Sequence, residues 1–200
     1  PSFGTAPAGY HATNLLLHAV GCGLAFRVLK LLEVPGAWFA AALFAVHPVH
    51  VESVAWVTER KNTLSLVFYL GSALLFLRRA LRAETPLRLD GRYFASLALF
   101  VCALLSKTVT ASLPAALLLG LWWKQVPALR RRALELVPFF ALGIPLGLLT
   151  AWLERSQVGA VGEFWQQTPL ERALVAGRAL WFYAGKLVWP QPLVFIYPRW

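Results

Sequence analysis

The chain has 200 residues, 58% hydrophobic and only 14% charged, with a formal net charge of +10 at pH 7. A soluble domain is nearer one quarter charged, so this balance excludes an ordinary globular enzyme and points to a membrane protein. The basic residues sit between apolar runs rather than along one soluble face, which excludes nucleic acid as a partner and matches the loop charges of a polytopic chain.

The expected architecture is an all-α transmembrane helical bundle, with apolar helices over roughly 10–32, 35–46, 62–82, 92–105, 108–123, 133–153 and 169–188. Turns are marked by Val34-Pro35-Gly36, Thr85-Pro86, Asp90-Gly91 and Val126-Pro127. There is no Met, and residues 1–200 are expected to be one fragment of a transmembrane domain cut from a longer chain. Cys22 and Cys102 lie inside apolar runs and read as small packing residues rather than a disulfide or metal pair.

The first helix carries His11, Asn14 and His18 at i, i+3 and i+7, hence on one face. The run 35–46 gives a helix of about 18 Å, against a hydrocarbon core of about 30 Å, so it stops short of a full crossing. Next comes the densest polar stretch, His47-Pro48-Val49-His50-Val51-Glu52-Ser53 through Glu59-Arg60-Lys61-Asn62. Pro48 can open a short helix with His47 at its N-cap, and Asn62 can cap the span that follows. As one helix, 92–123 would be about 48 Å long and would put Arg92 and Lys124 on opposite sides of a membrane. A hairpin turning at Ser106-Lys107 keeps both basic ends together and leaves Lys107 recessed, where irregular backbone needs a protein-lined or wet cavity. In 169–188, Glu171, Arg172, Arg178 and Lys186 fall on one arc of roughly 120°, which suits a helix lying in the membrane interface, with a seventh span as the alternative.

Alternating the sides places Arg27, Lys30, Arg78, Arg79, Arg82, Arg88, Arg92, Lys124, Arg130, Arg131 and Arg132 together. The opposite face holds only Arg60, Lys61, Lys107, Arg155 and Arg172, balanced by Glu52, Glu59, Glu154, Glu163 and Glu171. The positive-inside rule makes the first face cytoplasmic, so the recessed polar cavity faces the extracytoplasmic side.

On its own, the stretch from His47 to Asn62 reads either as a polar loop whose histidines cap helix ends or as a binding site. His47-x-x-His50 with Glu52 lacks zincin spacing and an evident third ligand, so no metal site is read from it. Arg60, Lys61 and Lys107 are the outward cations best placed to meet an anion in such a cavity. Glu52, Glu59, His47 and His50 could orient a bound polar group, or act as acid or base, with the roles left open; His11 and Asn14 sit at the cavity mouth. A non-enzymatic transporter, flippase-like protein or scaffold is the alternative, and a transporter would show paired broken helices in two related halves.

Five stretches together carry a family likeness: Gly9-Tyr10-His11 with Asn14 to Ala19, Phe44 to Trp56, Glu59-Arg60-Lys61-Asn62, Leu104-Leu105-Ser106-Lys107, and Lys186 to Pro190 with Phe195-Ile196-Tyr197-Pro198. The chain thereby closely resembles bacterial membrane proteins with C-terminal tetratricopeptide repeats, which are similar to the transmembrane O-mannosyltransferases of the polytopic (C-type) glycosyltransferase superfamily. The resemblance implies transfer of a sugar from a polyprenyl-phosphate donor to a protein or other acceptor, in a bacterial inner membrane and on its extracytoplasmic face. It also implies an acidic base or metal contact in a first external loop, which would precede Pro1, so a divalent metal stays open as a cofactor. The repeats would follow Trp200, and this stretch by itself is expected to be inactive. If the bias in basic residues sets orientation, tags at Gly91 and Ala128 will label from the cytoplasm and one at Gly159 from outside. Cytoplasmic labelling at Gly159 would overturn the orientation and the outward cavity together.

Overall fold

The computed structural model describes residues 7–82, 90–157 and 168–194, and every regular element in them is helical. In chain order they are α1 (Pro7–Leu31), α2 (Ala37–Val46), a 3₁₀ turn (Pro48–His50), α3 (Val51–Ala55), a second 3₁₀ turn (Val57–Glu59), α4 (Arg60–Arg82) and α5 (Gly91–Ser106). A third 3₁₀ turn (Thr108–Ser112), α6 (Leu113–Trp123), α7 (Leu129–Glu135), α8 (Val137–Gln157) and α9 (Pro169–Val188) complete the set. The expected Thr85-Pro86 turn, Arg88, Gly159, Glu163 and the Phe195–Pro198 motif lie outside the described residues.

Local sequence explains most of the boundaries. Gly36 enters α2 at φ 72°, the left-handed region that glycine adopts without a Cβ penalty. Asp90 caps α5 by accepting from the Tyr93 N–H at 3.0 Å, and Thr168 caps α9 with Glu171 closing the box. One expected helix, 133–153, is two. The chain turns helical earlier, at Leu129, and breaks at Leu136, because Pro138 has no N–H to give to the carbonyl four residues back. Asn62 is not the cap of its helix either, since α4 already begins at Arg60.

The packing runs opposite to that of a soluble protein. Large apolar side chains such as Leu16, Trp38, Phe39, Leu105, Trp122 and Leu148 face outward, while Asn14, His18, Ser72, Ser96, Arg79, Arg132 and Glu135 are buried. Such a surface belongs in lipid, where interior polar groups must satisfy each other. Among the described residues three helices are long and apolar enough to cross a membrane: Pro7–Leu31, Val57–Leu81 and Val137–Gln157. The pair Ala37–Val46 and Pro48–Ala55, bent by 49°, adds a broken or re-entrant element. With its four charged residues, α9 is not among the candidate spans.

Contacts give the helix directions. Asn14 meets Arg60 and Gly21 meets Leu66, so α1 and α4 pack directly and run parallel, while α2 returns along α1. Helices α4 and α5 are antiparallel, joined by reciprocal bonds in which the Ser72 hydroxyl donates to the Ser96 carbonyl at 2.7 Å and the Ser96 hydroxyl to the Ser72 carbonyl at 2.8 Å. The chain then reverses at Lys107, and α6 descends until Lys124 reaches Glu33 beyond the end of α1. Residues 91–123 are therefore a hairpin, as their flanking charges require. Phe76, Phe100, Leu104, Leu117, Leu121, Leu136 and Phe139 form the core between the hairpin, α4 and the start of α8.

The basic stretches meet at one end of this bundle. Arg79 pairs with Asp90 and Glu135, Arg132 pairs with Glu135 at 3.0 Å, and the Tyr93 hydroxyl donates to the Glu135 carbonyl at 3.0 Å. Lys124 holds the exposed Glu33 carboxyl below its ordinary range. Removing the Glu135 carboxylate leaves two buried guanidinium groups short of a partner, so Glu135→Ala should cost about 3–5 kcal/mol. Ser72→Ala removes only an interhelical hydrogen bond and should cost about 0.6 kcal/mol. Thermal unfolding in detergent checks both, and equal melting of the two variants would deny the Glu135 cluster its role as a joint.

Candidate functional site

At the opposite end the helices stop at different heights. His18 donates through Nε2 to the Ala45 carbonyl at 3.1 Å, so α2 ends alongside the middle of α1. Asn14 lies seven residues into α1, whose first residue is Pro7, so it sits about 10 Å along the axis from that terminus. The chain between His47 and Glu59 crosses at this level, below the mouth formed by the start of α1.

Its backbone is broken into short helical turns, and side chains satisfy the interruptions. His47 caps the turn Pro48–His50 by accepting from the Val49 N–H through Nδ1 at 3.3 Å, which leaves its Nε2 proton to be donated to the Leu187 carbonyl at 3.0 Å. That second bond ties α9 to this end of the bundle. His50 packs 4.2 Å from the Phe44 ring and 5.5 Å from His18, so it lies within an aromatic stack.

Two asparagines organise the rest. Asn14, fully buried, donates to the carbonyls of Val54 at 3.3 Å and Trp56 at 2.8 Å, and its Oδ1 accepts from Arg60 Nε at 3.1 Å. Arg60 also donates to the Tyr10 carbonyl at 3.4 Å, and its guanidinium lies 5.4 Å from the centre of the Tyr10 ring. Asn62 donates to Ser53 Oγ at 3.0 Å and Glu59 Oε2 at 2.7 Å, and its Oδ1 accepts from Lys107 Nζ at 2.5 Å. Lys61 takes the other Glu59 oxygen at 3.3 Å.

The sequence-derived residues thus divide. Lys107, Lys61, Glu59 and Asn62 form one chain of contacts, and Arg60 with Asn14 forms a second on the α1 side of the same helix start. Lys107 meets an amide oxygen, with Glu59 one step behind it, rather than a carboxylate directly. His11 is exposed and does not join Asn14 and His18, both buried. It stands almost one turn nearer the helix end than Asn14, above the crossing chain. Glu52 is exposed and faces a different hollow, beside α9. The residues that sequence reasoning left without a role are Tyr10, Trp56, Ser53 and Asn62 as a bridge; their backbone or uncharged groups give no signal until the partners are in place. Among the described residues no group of three or more His, Cys, Asp or Glu could hold a metal ion, and both cysteines are free.

No family model matches the chain, and no solved structure does. Similarity to known proteins is nonetheless consistent in kind. The chain is 39% identical over 120 residues to the protein O-mannosyl-transferase Tmtc1 of Drosophila melanogaster, covering 59% of this chain and 13% of that protein. It is 33% identical over 106 residues to the human protein O-mannosyl-transferase TMTC2, covering 52% of this chain and 13% of that one. To human TMTC3, also a protein O-mannosyl-transferase, it is 40% identical over 73 residues, or 36% of this chain and 8% of that protein. The chain therefore matches only a small part of the length of these curated relatives.

Asn14 gives the sharpest local test. Asn14→Ala leaves two carbonyls and the Arg60 Nε–H without their partner, so it should cost about 1–3 kcal/mol. Asn14→Asp keeps the bond to Arg60 but loses the amide donors, and should fall between wild type and Ala. Thermal unfolding of the detergent-solubilised protein reads the order, and an Ala variant as stable as wild type would remove Asn14 from its structural place.

Proposed function

We propose that the chain is part of a membrane glycosyltransferase that moves a sugar from a polyprenyl-phosphate donor to a protein acceptor, and that Arg60 and Lys107 bind the donor phosphate. The observation that carries this reading is the neutral partnering of the two cations. Arg60 rests on the Asn14 amide oxygen and Lys107 on the Asn62 amide oxygen, while the nearby carboxylate of Glu59 is matched by Lys61. Each cation is thereby oriented without a carboxylate bonded to it directly, which favours the single negative charge of a phosphodiester at the start of α4 and the second charge that develops on the phosphate as it departs. When the glycosidic bond to phosphate breaks, charge grows on the phosphate oxygen, and fixed cations stabilise that growth more than they stabilise the bound ground state.

The similarity to protein O-mannosyl-transferases supports the transferase reading and mannose as the first sugar to try. The excess of basic residues at the Glu135 end supports an outward orientation of the Arg60–Lys107 end. A bacterial inner membrane is the setting that the sequence resemblance implies. His47 and His50 act in this reading as organisers of the crossing chain, since their rings are engaged with Leu187, Phe44 and His18.

In the full-length protein, Arg60→Ala and Lys107→Ala should each lower transfer or polyprenyl-phosphate binding by a factor of ten or more. That corresponds to at least about 1.4 kcal/mol of lost transition-state or donor stabilisation. Expression and melting should change much less. Unaltered donor binding and transfer in both variants would return the two cations to a purely structural role.

A further inference from the structure

Trp56, whose carbonyl is held by Asn14, also lines a hollow that does not include Arg60 or Lys107. It is a groove of about 430 Å³ between the chain at residues 48–56 and the α9 segment, within the size range of small-ligand sites. Its walls include Trp56, Phe182, Tyr183 and Val194, with Glu52 and Lys186 as the charged residues. Lys186 is engaged, donating to the carbonyls of Gln191 at 2.9 Å and Pro192 at 2.8 Å, and so it holds the 190–194 segment in place as a wall. The bond from His47 to the Leu187 carbonyl fixes the opposite wall to α9. Glu52 is the exception: among the described residues its carboxylate has no ion pair and no side-chain hydrogen bond.

We infer that this groove receives the hydroxyl-bearing polypeptide that accepts the sugar, with Glu52 accepting a hydrogen bond from its Ser or Thr hydroxyl; the inference rests on the glycosyltransferase reading above. Charge selects this occupant. The groove carries one carboxylate and one ammonium, so its balance of charge gives a phosphate no preference, and a wholly apolar isoprenoid chain would bury Glu52 without offering it a donor. A peptide brings the hydroxyl donor for Glu52 and apolar side chains for the aromatic walls. Position agrees with charge. The Trp56 side chain lines the groove while its carbonyl is held by Asn14, the residue that orients Arg60. One residue therefore separates the acceptor from the donor phosphate, and the two carboxylates divide their work: Glu59 is spent within the cation network, and Glu52 is open to substrate.

The test uses the full-length protein in detergent with no sugar donor present, so that it does not depend on transfer. A fluorescent peptide rich in Ala, Thr and Pro should bind, with affinity falling tenfold or more in Glu52→Gln and in Ala55→Trp, which fills the groove. Polyprenyl-phosphate binding should stay within about twofold in both, an effect no larger than a few tenths of a kcal/mol. With a photoreactive residue at Ala55, the peptide should be the species cross-linked. Cross-linking of polyprenyl phosphate at Ala55 would assign the groove to the lipid and overturn the inference, as would unchanged peptide affinity in both variants. Loss of transfer in the Arg60 and Lys107 variants alongside intact acceptor kinetics in Glu52→Gln would sink this inference alone. Peptide binding at the groove in a protein that transfers no sugar would sink the transferase reading alone.

Discussion

The carboxamide of Asn62 sets the height at which this bundle is built. In a molecule whose surface is apolar, a cation inside cannot turn to water and must meet a protein dipole. Asn62 supplies one to Lys107 while its amide hydrogens hold Glu59 and Ser53. That single side chain therefore joins the tip of the α5–α6 hairpin, the start of α4 and the end of α3. It also fixes where the hairpin may turn. The broken backbone that follows is covered by α8, where Gly143 comes so close to Ala111 that an added Cβ would lie 3.4 Å from its carbonyl oxygen. A side chain larger than alanine at Gly143 would have to displace the Ala111 backbone or the Phe100 ring.

The two ends of the bundle solve the problem of buried charge in opposite ways. At the Glu135 end each buried guanidinium has a carboxylate: Arg79 has Asp90 and Glu135, and Arg132 has Glu135. That arrangement is locally neutral, and with Tyr93 bonded to the Glu135 backbone it acts as a joint among α4, α5 and α7. At the Lys107 end Lys107 and Arg60 rest on amide oxygens, and only the more exposed Lys61 takes a carboxylate, that of Glu59. Orientation without neutralisation is costly for stability and useful for binding an anion. The difference between the two ends therefore lies in the partners of the cations, because both ends contain them.

Much of this was legible in the sequence, for reasons that are local. Apolar composition and run length determined an all-α membrane bundle, and the basic ends of residues 92–123 required a hairpin. Pro after His47 made that histidine a cap, since a first turn needs no proline N–H. The failures share a cause. Pro138 was as visible as Pro48, yet the apolar run on either side of it masked the break that separates α7 from α8. His11 obeys the same helical spacing as Asn14 and His18, but periodicity names a face and not how far along that face another element extends.

What tertiary structure alone decided is the partnership of charges. Sequence placed Arg60, Lys61 and Lys107 on one face with Glu59 among the acids balancing them, but did not say which would pair. The folded chain gives Glu59 to Lys61 and Asn62, gives Lys107 to Asn62 across 45 positions, and turns Arg60 away toward Asn14, 46 positions back. Glu52, only seven residues from Glu59 in the chain, is left facing a separate groove built with α9. Hydrophobic pattern is written residue by residue, so it survives in the sequence; a hydrogen bond between distant side chains depends on distances that exist only once the helices have stopped at their several heights.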